Sequence, residues 1–170
     1  SGWRRALARS KMRAGEPDLA YRLASGHQMV EGSSYSDLEW LSGYIALRYL
    51  EAPELALDHF QRFRAAVASP ISLGRAGYWI GRALDEMGDG EAAQIAYAFG
   101  GQYQTSFYGL LAAEKAGIAP LETLRGARPD QDWRETEFAK LDVFDAGVAL
   151  RNTGRLSQAE QYFVALAETL

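Results

Sequence analysis

The chain contains no cysteine. This excludes disulfides, zinc–thiolate centres and thiol nucleophiles, and it is compatible with an extracytoplasmic compartment without demanding one. Long hydrophobic runs are missing too: nothing approaches the ~18 consecutive apolar residues that cross a bilayer, so no membrane span is expected. Alternating strand patterns are absent. The 170 residues have a formal net charge of −4, which offers no general pull toward nucleic acid. A basic run, Arg4, Arg5, Arg9, Lys11 and Arg13, is expected to be a solvated helix face. The chain opens at Ser1-Gly2 without Met and passes directly into an amphipathic pattern, with no recognisable signal peptide. That pattern is still running at Leu170, so a piece of a longer polypeptide is expected.

Catalytic motifs are equally scarce. There is no Gly-x-Ser-x-Gly elbow, no His-Glu-x-x-His and no phosphate-cradling glycine loop. Gly100-Gly101 reads as a helix break. His27 and His59 lie 32 positions apart without metal-site spacing, and both are expected to be packed or surface residues. The segment from Asp85 resembles a calcium loop only superficially, because Met87 and Ala96 stand where oxygen ligands are needed. No carboxylate is surrounded by apolar residues in a way that suits general acid catalysis, and most should be solvated. Neither cofactor nor metal is expected, and no residue is assigned a catalytic role.

What the chain has is internal repetition. Gly81, Leu84, Ala93 and Tyr97 share their spacing with Gly147, Leu150, Ala159 and Phe163. Gly43, Ala46, Ala56 and Phe60 form a looser copy with one extra turn residue, and Ala8, Ala20 and Ala24 a weaker one. Small residues at the first and third positions let two antiparallel helices approach closely, and the large fourth residue fills the groove beside them. Gly43, Gly81, Ala93, Tyr97, Gly147, Ala159 and Phe163 are therefore read as structural. Apolar stripes at helical period agree: Leu38, Leu41, Ile45 and Tyr49; Ala56, Phe60, Phe63 and Val67; and Leu156, Ala159, Phe163, Leu166 and Leu170. Ser36 with Glu39, and Ser157 with Glu160, have capping-box spacing. Turns fall at Gly15-Glu16-Pro17, Glu51-Ala52-Pro53, Gly88-Asp89-Gly90 and Asn152-Thr153-Gly154.

These signals predict helices near 3–13, 17–25, 36–50, 53–68, 71–87, 90–99, 104–116, 135–151 and 156–169. The expected fold is all-α: one superhelical α-solenoid fragment over 1–170, made of tetratricopeptide-like antiparallel helix hairpins at about 3–25, 36–68, 70–99 and 135–169. Gly117 to Asp132, with Pro120, Gly126 and Pro129, interrupts the rhythm around a short apolar turn at Leu121–Leu124. Residues 104–132 are thus expected to be irregular, a hairpin degenerated to one helix and a loop.

Aromatics concentrate in one third of the chain: Tyr78, Trp79, Tyr97, Phe99, Tyr103, Phe107 and Tyr108. They can pack helices together, or present rings on which a sugar or a neighbouring domain stacks. Three blocks there are specific. They are Leu38-Glu39-Trp40-Leu41-Ser42-Gly43-Tyr44-Ile45-Ala46-Leu47-Arg48 with His59-Phe60; Pro70-Ile71-Ser72-Leu73-Gly74-Arg75-Ala76-Gly77-Tyr78-Trp79-Ile80-Gly81-Arg82-Ala83; and Tyr103-Gln104-Thr105-Ser106-Phe107-Tyr108-Gly109-Leu110-Leu111-Ala112-Ala113. In this order they resemble the superhelical region of soluble lytic murein transglycosylases, most clearly over 36–117. The resemblance implies a periplasmic parent enzyme acting on peptidoglycan glycan strands, with a C-terminal lysozyme-like catalytic domain. That domain's Glu-Ser motif and Gly-Leu-Met-Gln block are both absent here, so the implied role is a non-catalytic scaffold. Arg75, Tyr78, Arg82 and Tyr108 are the candidate contacts to glycan or to the catalytic domain. A tetratricopeptide-like protein–protein interaction module is the alternative reading.

Overall fold

The computed structural model describes residues 2–126 and 132–169; Pro129 and Leu170 of the sequence reading lie outside them. Among the described residues the fold is all-helical and no strand occurs. No helix among them is long and apolar enough to cross a membrane. Two compact units are present, Ser1–Leu124 and Arg125–Leu170.

The first unit holds α1 (Gly2–Arg13), α2 (Pro17–Ser25), α3 (Ser33–Tyr49), α4 (Pro53–Ala65), α5 (Pro70–Glu86), α6 (Gly90–Gly100) and α7 (Phe107–Lys115). Pro17, Pro53 and Pro70 each open a helix, where the missing N–H costs nothing. Helices pack in sequence order. Ala8, Ala20 and Ala24 of α1 and α2 meet Leu38, Leu41 and Ile45 of α3. Ala46, Leu47, Ala56 and Phe60 of α3 and α4 meet Trp79, Ile80 and Ala83 of α5. Ala93 and Tyr97 of α6 meet Ala112 of α7.

The repeated small residue has a direct physical role. A Cβ added at Gly43 would lie 2.6 Å from the Phe60 ring, and one at Gly81 would lie 2.5 Å from the Tyr97 ring. Both rings are fully buried. Gly77 meets Gly100 while Gly81 meets Tyr97, a reversed order that makes α5 and α6 antiparallel. Tyr97 fills the groove and keeps its polar end satisfied by donating to Asp85 Oδ2 at 2.7 Å, and burial pushes its phenol well above the usual range.

The turns repeat as well. Gly15 and Gly88 adopt φ of +77° and +80°, and a bond spanning five residues closes each helix end: Glu16 N–H to the Lys11 carbonyl and Asp89 N–H to the Leu84 carbonyl, each 3.0 Å. The turn after α3 carries the extra residue seen in the sequence. There the left-handed position falls on Glu51 (φ +52°), and Ala52 N–H reaches back six residues to the Ala46 carbonyl.

The second unit contains 3₁₀ turns at Trp133–Glu135 and Glu137–Lys140, then α8 (Asp142–Asn152) and α9 (Leu156–Ala167). The α8–α9 hairpin reuses the same device: Gly147 lies against Phe163, where a Cβ would stand 2.7 Å from the ring, and Ala159 is buried. Gly154 takes φ +78° and Arg155 N–H bonds the Leu150 carbonyl at 3.0 Å.

Four expectations need correction. Ser36 does not cap α3, which starts at Ser33; its hydroxyl donates to the Ser33 carbonyl at 3.0 Å, and Glu39 is engaged elsewhere. Ser157 sits inside α9, whose cap position is Arg155, drawn there by the five-residue bond of the preceding turn. The helix expected over 104–116 begins only at Phe107. Gln104 is buried with its side chain spent on the loop, donating to the Ala119 carbonyl at 3.0 Å and accepting from Leu121 N–H at 2.8 Å, so Ser106 becomes the cap. The helix expected over 135–151 starts at Asp142. Extended backbone at Thr136 and Leu141 breaks it into 3₁₀ turns that fold Trp133 and Phe138 onto Phe144, with ring centroids 5.3 and 5.6 Å away.

Two stability predictions follow from the hairpin geometry. Gly81→Ala is expected to cost about 2 kcal/mol, because the ring it meets is locked by the Asp85 bond and must shift. Glu51→Gly is expected to gain roughly 0.5–1 kcal/mol by relieving a left-handed non-glycine residue. Chemical denaturation monitored by circular dichroism checks both; a neutral Gly81→Ala would contradict the close-contact account.

Candidate functional site

The candidate site is assembled by α3, α5 and α7, and glycines let α5 nearly touch α6 and the start of α7. A Cβ on Gly74 would lie 2.6 Å from Ser106 Oγ and 3.0 Å from Gly109 N. One on Gly77 would lie 2.5 Å from the Gly100 backbone, and one on Gly109 would overlap the Tyr103 carbonyl. Backbone cannot give way as a flexible side chain can. Those glycines therefore set the spacing at which residues on α5 and α7 meet.

The result is a continuous set of rings. Trp40 stacks on Tyr44 with centroids 5.4 Å apart and planes inclined by 22°. Trp79 stands edge-on to Tyr44 at 5.2 Å and to Tyr78 at 5.4 Å. Tyr108 reaches from α7 to within 5.5 Å of Tyr78 and 6.0 Å of Trp79. Trp79 is buried, whereas Trp40, Tyr44, Tyr78 and Tyr108 are half-buried and keep ring surface toward solvent.

Two arginines of α5 edge this face. The Arg75 guanidinium lies 5.0 Å from the centre of the Trp40 ring and 5.6 Å from that of Tyr108. Two turns further along, Arg82 donates to the Tyr78 hydroxyl at 3.3 Å and pairs loosely with Glu86 at 3.7 Å. Donation to Tyr78 pushes the Arg82 guanidinium further up from its already high range. Burial pushes the Tyr44 phenol up, so it remains a neutral donor. Arg75 Nε, Trp40 Nε1 and Trp79 Nε1 are buried without a hydrogen-bond partner among the described residues. Their side chains are held by ring contacts instead, an arrangement that leaves polar demand in the cluster.

The four residues singled out in the sequence, Arg75, Tyr78, Arg82 and Tyr108, thus lie together in one patch. Trp40 and Tyr44 belong to it also; they lie more than 30 residues before Tyr78 and join the patch only through the packing of α3 against α5, so their spacing on one turn of α3 was the only signal in the sequence. Tyr97 faces the α5–α6 contact and Phe107 points outward, largely exposed. Phe99 holds Arg64 over its ring at 4.2 Å. Neither Phe99 nor Phe107 touches the Trp40–Tyr44 stack directly. Chemically, the patch offers flat apolar ring faces flanked by fixed cations and phenolic hydroxyls. That suits a ligand with an apolar face, several hydroxyls and anionic groups.

A second cluster is buried. Glu39, only 4% exposed, receives both histidines. His27 Nδ1 accepts from Met29 N–H at 3.0 Å, which leaves the ring proton on Nε2 to be donated to Glu39 Oε1 at 3.0 Å. His59 Nδ1–H and Arg62 Nε–H converge on Glu39 Oε2 at 2.6 and 2.9 Å. Tyr21 Oη donates to His59 Nε2 at 2.9 Å. Burial alone would push the Glu39 carboxyl up, but the bonds from His59 and Arg62 outweigh it and hold the group at about 2. A carboxyl held that low stays ionised and is unsuited to donating a proton near neutrality. Its function is to tie α2, α3 and α4 together. No group of three His, Asp or Glu among the described residues is disposed to hold a metal ion. The histidines are packed, as expected; their shared carboxylate was legible only in that Glu39 falls on the Gly43–Ala46 stripe facing α4.

A depressed carboxyl stabilises the fold above its unfolded value and loses that contribution as the folded value is approached. The melting temperature is therefore expected to fall between pH about 4.5 and about 2. Glu39→Gln should melt lower than the parent at neutral pH, by roughly 2–3 kcal/mol of stability, and show a shallower acid slope. Thermal melts across that pH range measure both, and an unchanged slope would remove Glu39 from the account.

In comparisons with known proteins, no family model, no curated protein and no solved structure matches the chain.

Proposed function

We propose that this chain is the non-catalytic helical scaffold of a periplasmic peptidoglycan lytic transglycosylase. In this reading its hairpins form a tetratricopeptide-like superhelical solenoid that guides glycan strands and docks a lysozyme-like catalytic domain of the same parent chain. The three sequence blocks that resemble such enzymes support it. One observation carries it furthest: the residues chosen from those blocks, Arg75, Tyr78, Arg82 and Tyr108, share a single patch with Trp40 and Tyr44.

The patch fits the chemistry of that polymer. Pyranose rings present C–H faces that stack on Trp and Tyr, their hydroxyls and amide groups can bond phenols and guanidinium groups, and the lactyl and peptide carboxylates are anionic. Nothing in the patch offers a proton donor tuned for glycosidic cleavage, so binding without turnover is the expected behaviour.

The chain is expected to co-sediment with purified peptidoglycan sacculi and to release no anhydromuropeptides from them. Arg75→Ala and Tyr108→Ala should each weaken retention by roughly five- to tenfold, equivalent to about 1 kcal/mol per ring or cation contact. Retention that is indifferent to both substitutions, or affinity for protein partners with none for sacculi, would move the function to a protein-interaction module.

A further inference from the structure

Several arginines of the first unit are answered by an oxygen of the chain. Arg4 donates to the Leu23 carbonyl at 3.0 Å, Arg5 pairs with Asp37, Arg62 with Glu39, and Arg82 with Tyr78 and Glu86. The basic run on α1 is therefore partly tied down, not the uniformly solvated face expected from the sequence. Arg75 differs. It is half-buried in the patch, yet no hydrogen bond or ion pair engages it among the described residues.

Two rings hold it instead. Its guanidinium lies 5.0 Å from the centre of Trp40 and 5.6 Å from that of Tyr108. Ring contacts from two helices fix where the cation sits, so little side-chain freedom is left to lose when a ligand arrives. Nε is enclosed without a partner, whereas the Nη groups, equally unbonded, are not enclosed. The edge presented outward is thus the Nη1–Nη2 end, whose two parallel N–H bonds match the two oxygens of a carboxylate.

The surroundings lack the group that would satisfy it. Trp40 Nε1 and Trp79 Nε1 are also enclosed donors without an acceptor, and Trp79 is only 6% exposed. Their rings lie 6.3 Å apart. Three N–H donors without an acceptor in one cluster amount to a deficit of oxygen, and a buried donor left unbonded is costly. The acids of α3 and α5 do not make it up, because each is engaged elsewhere. Asp37 meets Arg5, Glu39 meets His59 and Arg62, Asp85 meets Tyr97, and Glu86 meets Arg82. A half-buried cation with no anion paired to it gains more from an incoming negative charge than a solvated one does.

We propose that Arg75 is the specificity-determining residue of the patch: its Nη edge binds a carboxylate borne by the sugar, so carboxylated glycans are taken in preference to neutral ones of the same backbone. This rests on the glycan reading above and gives the two arginines different work. Arg75 reads charge. Arg82, already committed to Tyr78 and Glu86, is a positioning residue that holds the Tyr78 ring in the patch.

Ligands that differ only in that charge provide the test. Glycan strands stripped of their peptides carry free lactyl carboxylates, and the same strands with those groups converted to methylamides are neutral. In calorimetric titration the parent chain is expected to bind the carboxylate strands roughly tenfold more tightly. Arg75→Gln should abolish that preference, while Arg82→Gln should weaken both ligands and keep it. Equal affinity of the parent chain for the two strands, or a preference that survives Arg75→Gln, overturns the proposal and leaves the glycan reading intact. A monosaccharide arm covers the converse. N-acetylmuramic acid is expected to shift the Arg75 Nε–H nuclear magnetic resonance signal, assigned by its loss in Arg75→Lys, and its methyl ester is not. If neither strand binds while that shift occurs, the glycan-strand reading fails and the carboxylate site stands. If acid and ester move the signal alike, or neither moves it, the proposal falls.

Discussion

The contact on which the rest of the structure depends is a ring lying on a glycine. At Gly43–Phe60, Gly81–Tyr97 and Gly147–Phe163 an aromatic side chain of the second helix occupies the volume a Cβ of the first would need. Protein interiors are packed at crystal-like density, so such a contact has two stable states only, made or broken. It sets the distance between paired helices and buries the largest side chain available at that point. In α1–α2 the same positions are Ala8, Ala20 and Ala24, all fully buried, and the contact is made by methyl groups alone.

Close approach in the hairpins also creates the patch. With Gly74, Gly77, Gly100 and Gly109 removing side-chain volume between α5, α6 and α7, the rings that flank these glycines are brought to contact distance. Tyr78 is adjacent to Gly77 and Tyr108 to Gly109. Each glycine–tyrosine pair thus couples a spacing device to a functional group.

Among the described residues, the buried carboxylate of Glu39 and the buried imidazole of His59 meet in one knot. Glu39 is a charged group taken out of water, a costly placement unless every lone pair finds a donor. His27, from the loop after α2, and His59 and Arg62, both from α4, supply those donors. The knot fixes how α2 meets α3 and α4, alongside the Gly43–Phe60 contact that pairs α3 with α4. Hydrophobic contact supplies proximity, and the carboxylate supplies orientation.

Much of this was legible in the linear order of residues. Helical periodicity, prolines at helix starts and the recurring glycine and alanine offsets identify all-helical hairpins, their turns and the identity of the residues in contact, because each of these signals is local or repeats at fixed spacing. The capping boxes misled for the opposite reason. Ser36 and Glu39 have the right separation, but Glu39 is claimed by histidines 12 positions before it and 20 after. Likewise Gln104 is recruited by a loop 15 residues on, which delays α7. The sequence by itself determined which residues pack as pairs within a hairpin. Only the tertiary structure decided which side chains from separate hairpins share a surface, since contacts such as Arg75 over Trp40 and Tyr21 with His59 depend on the angle and depth at which hairpins stack, quantities no residue spacing encodes.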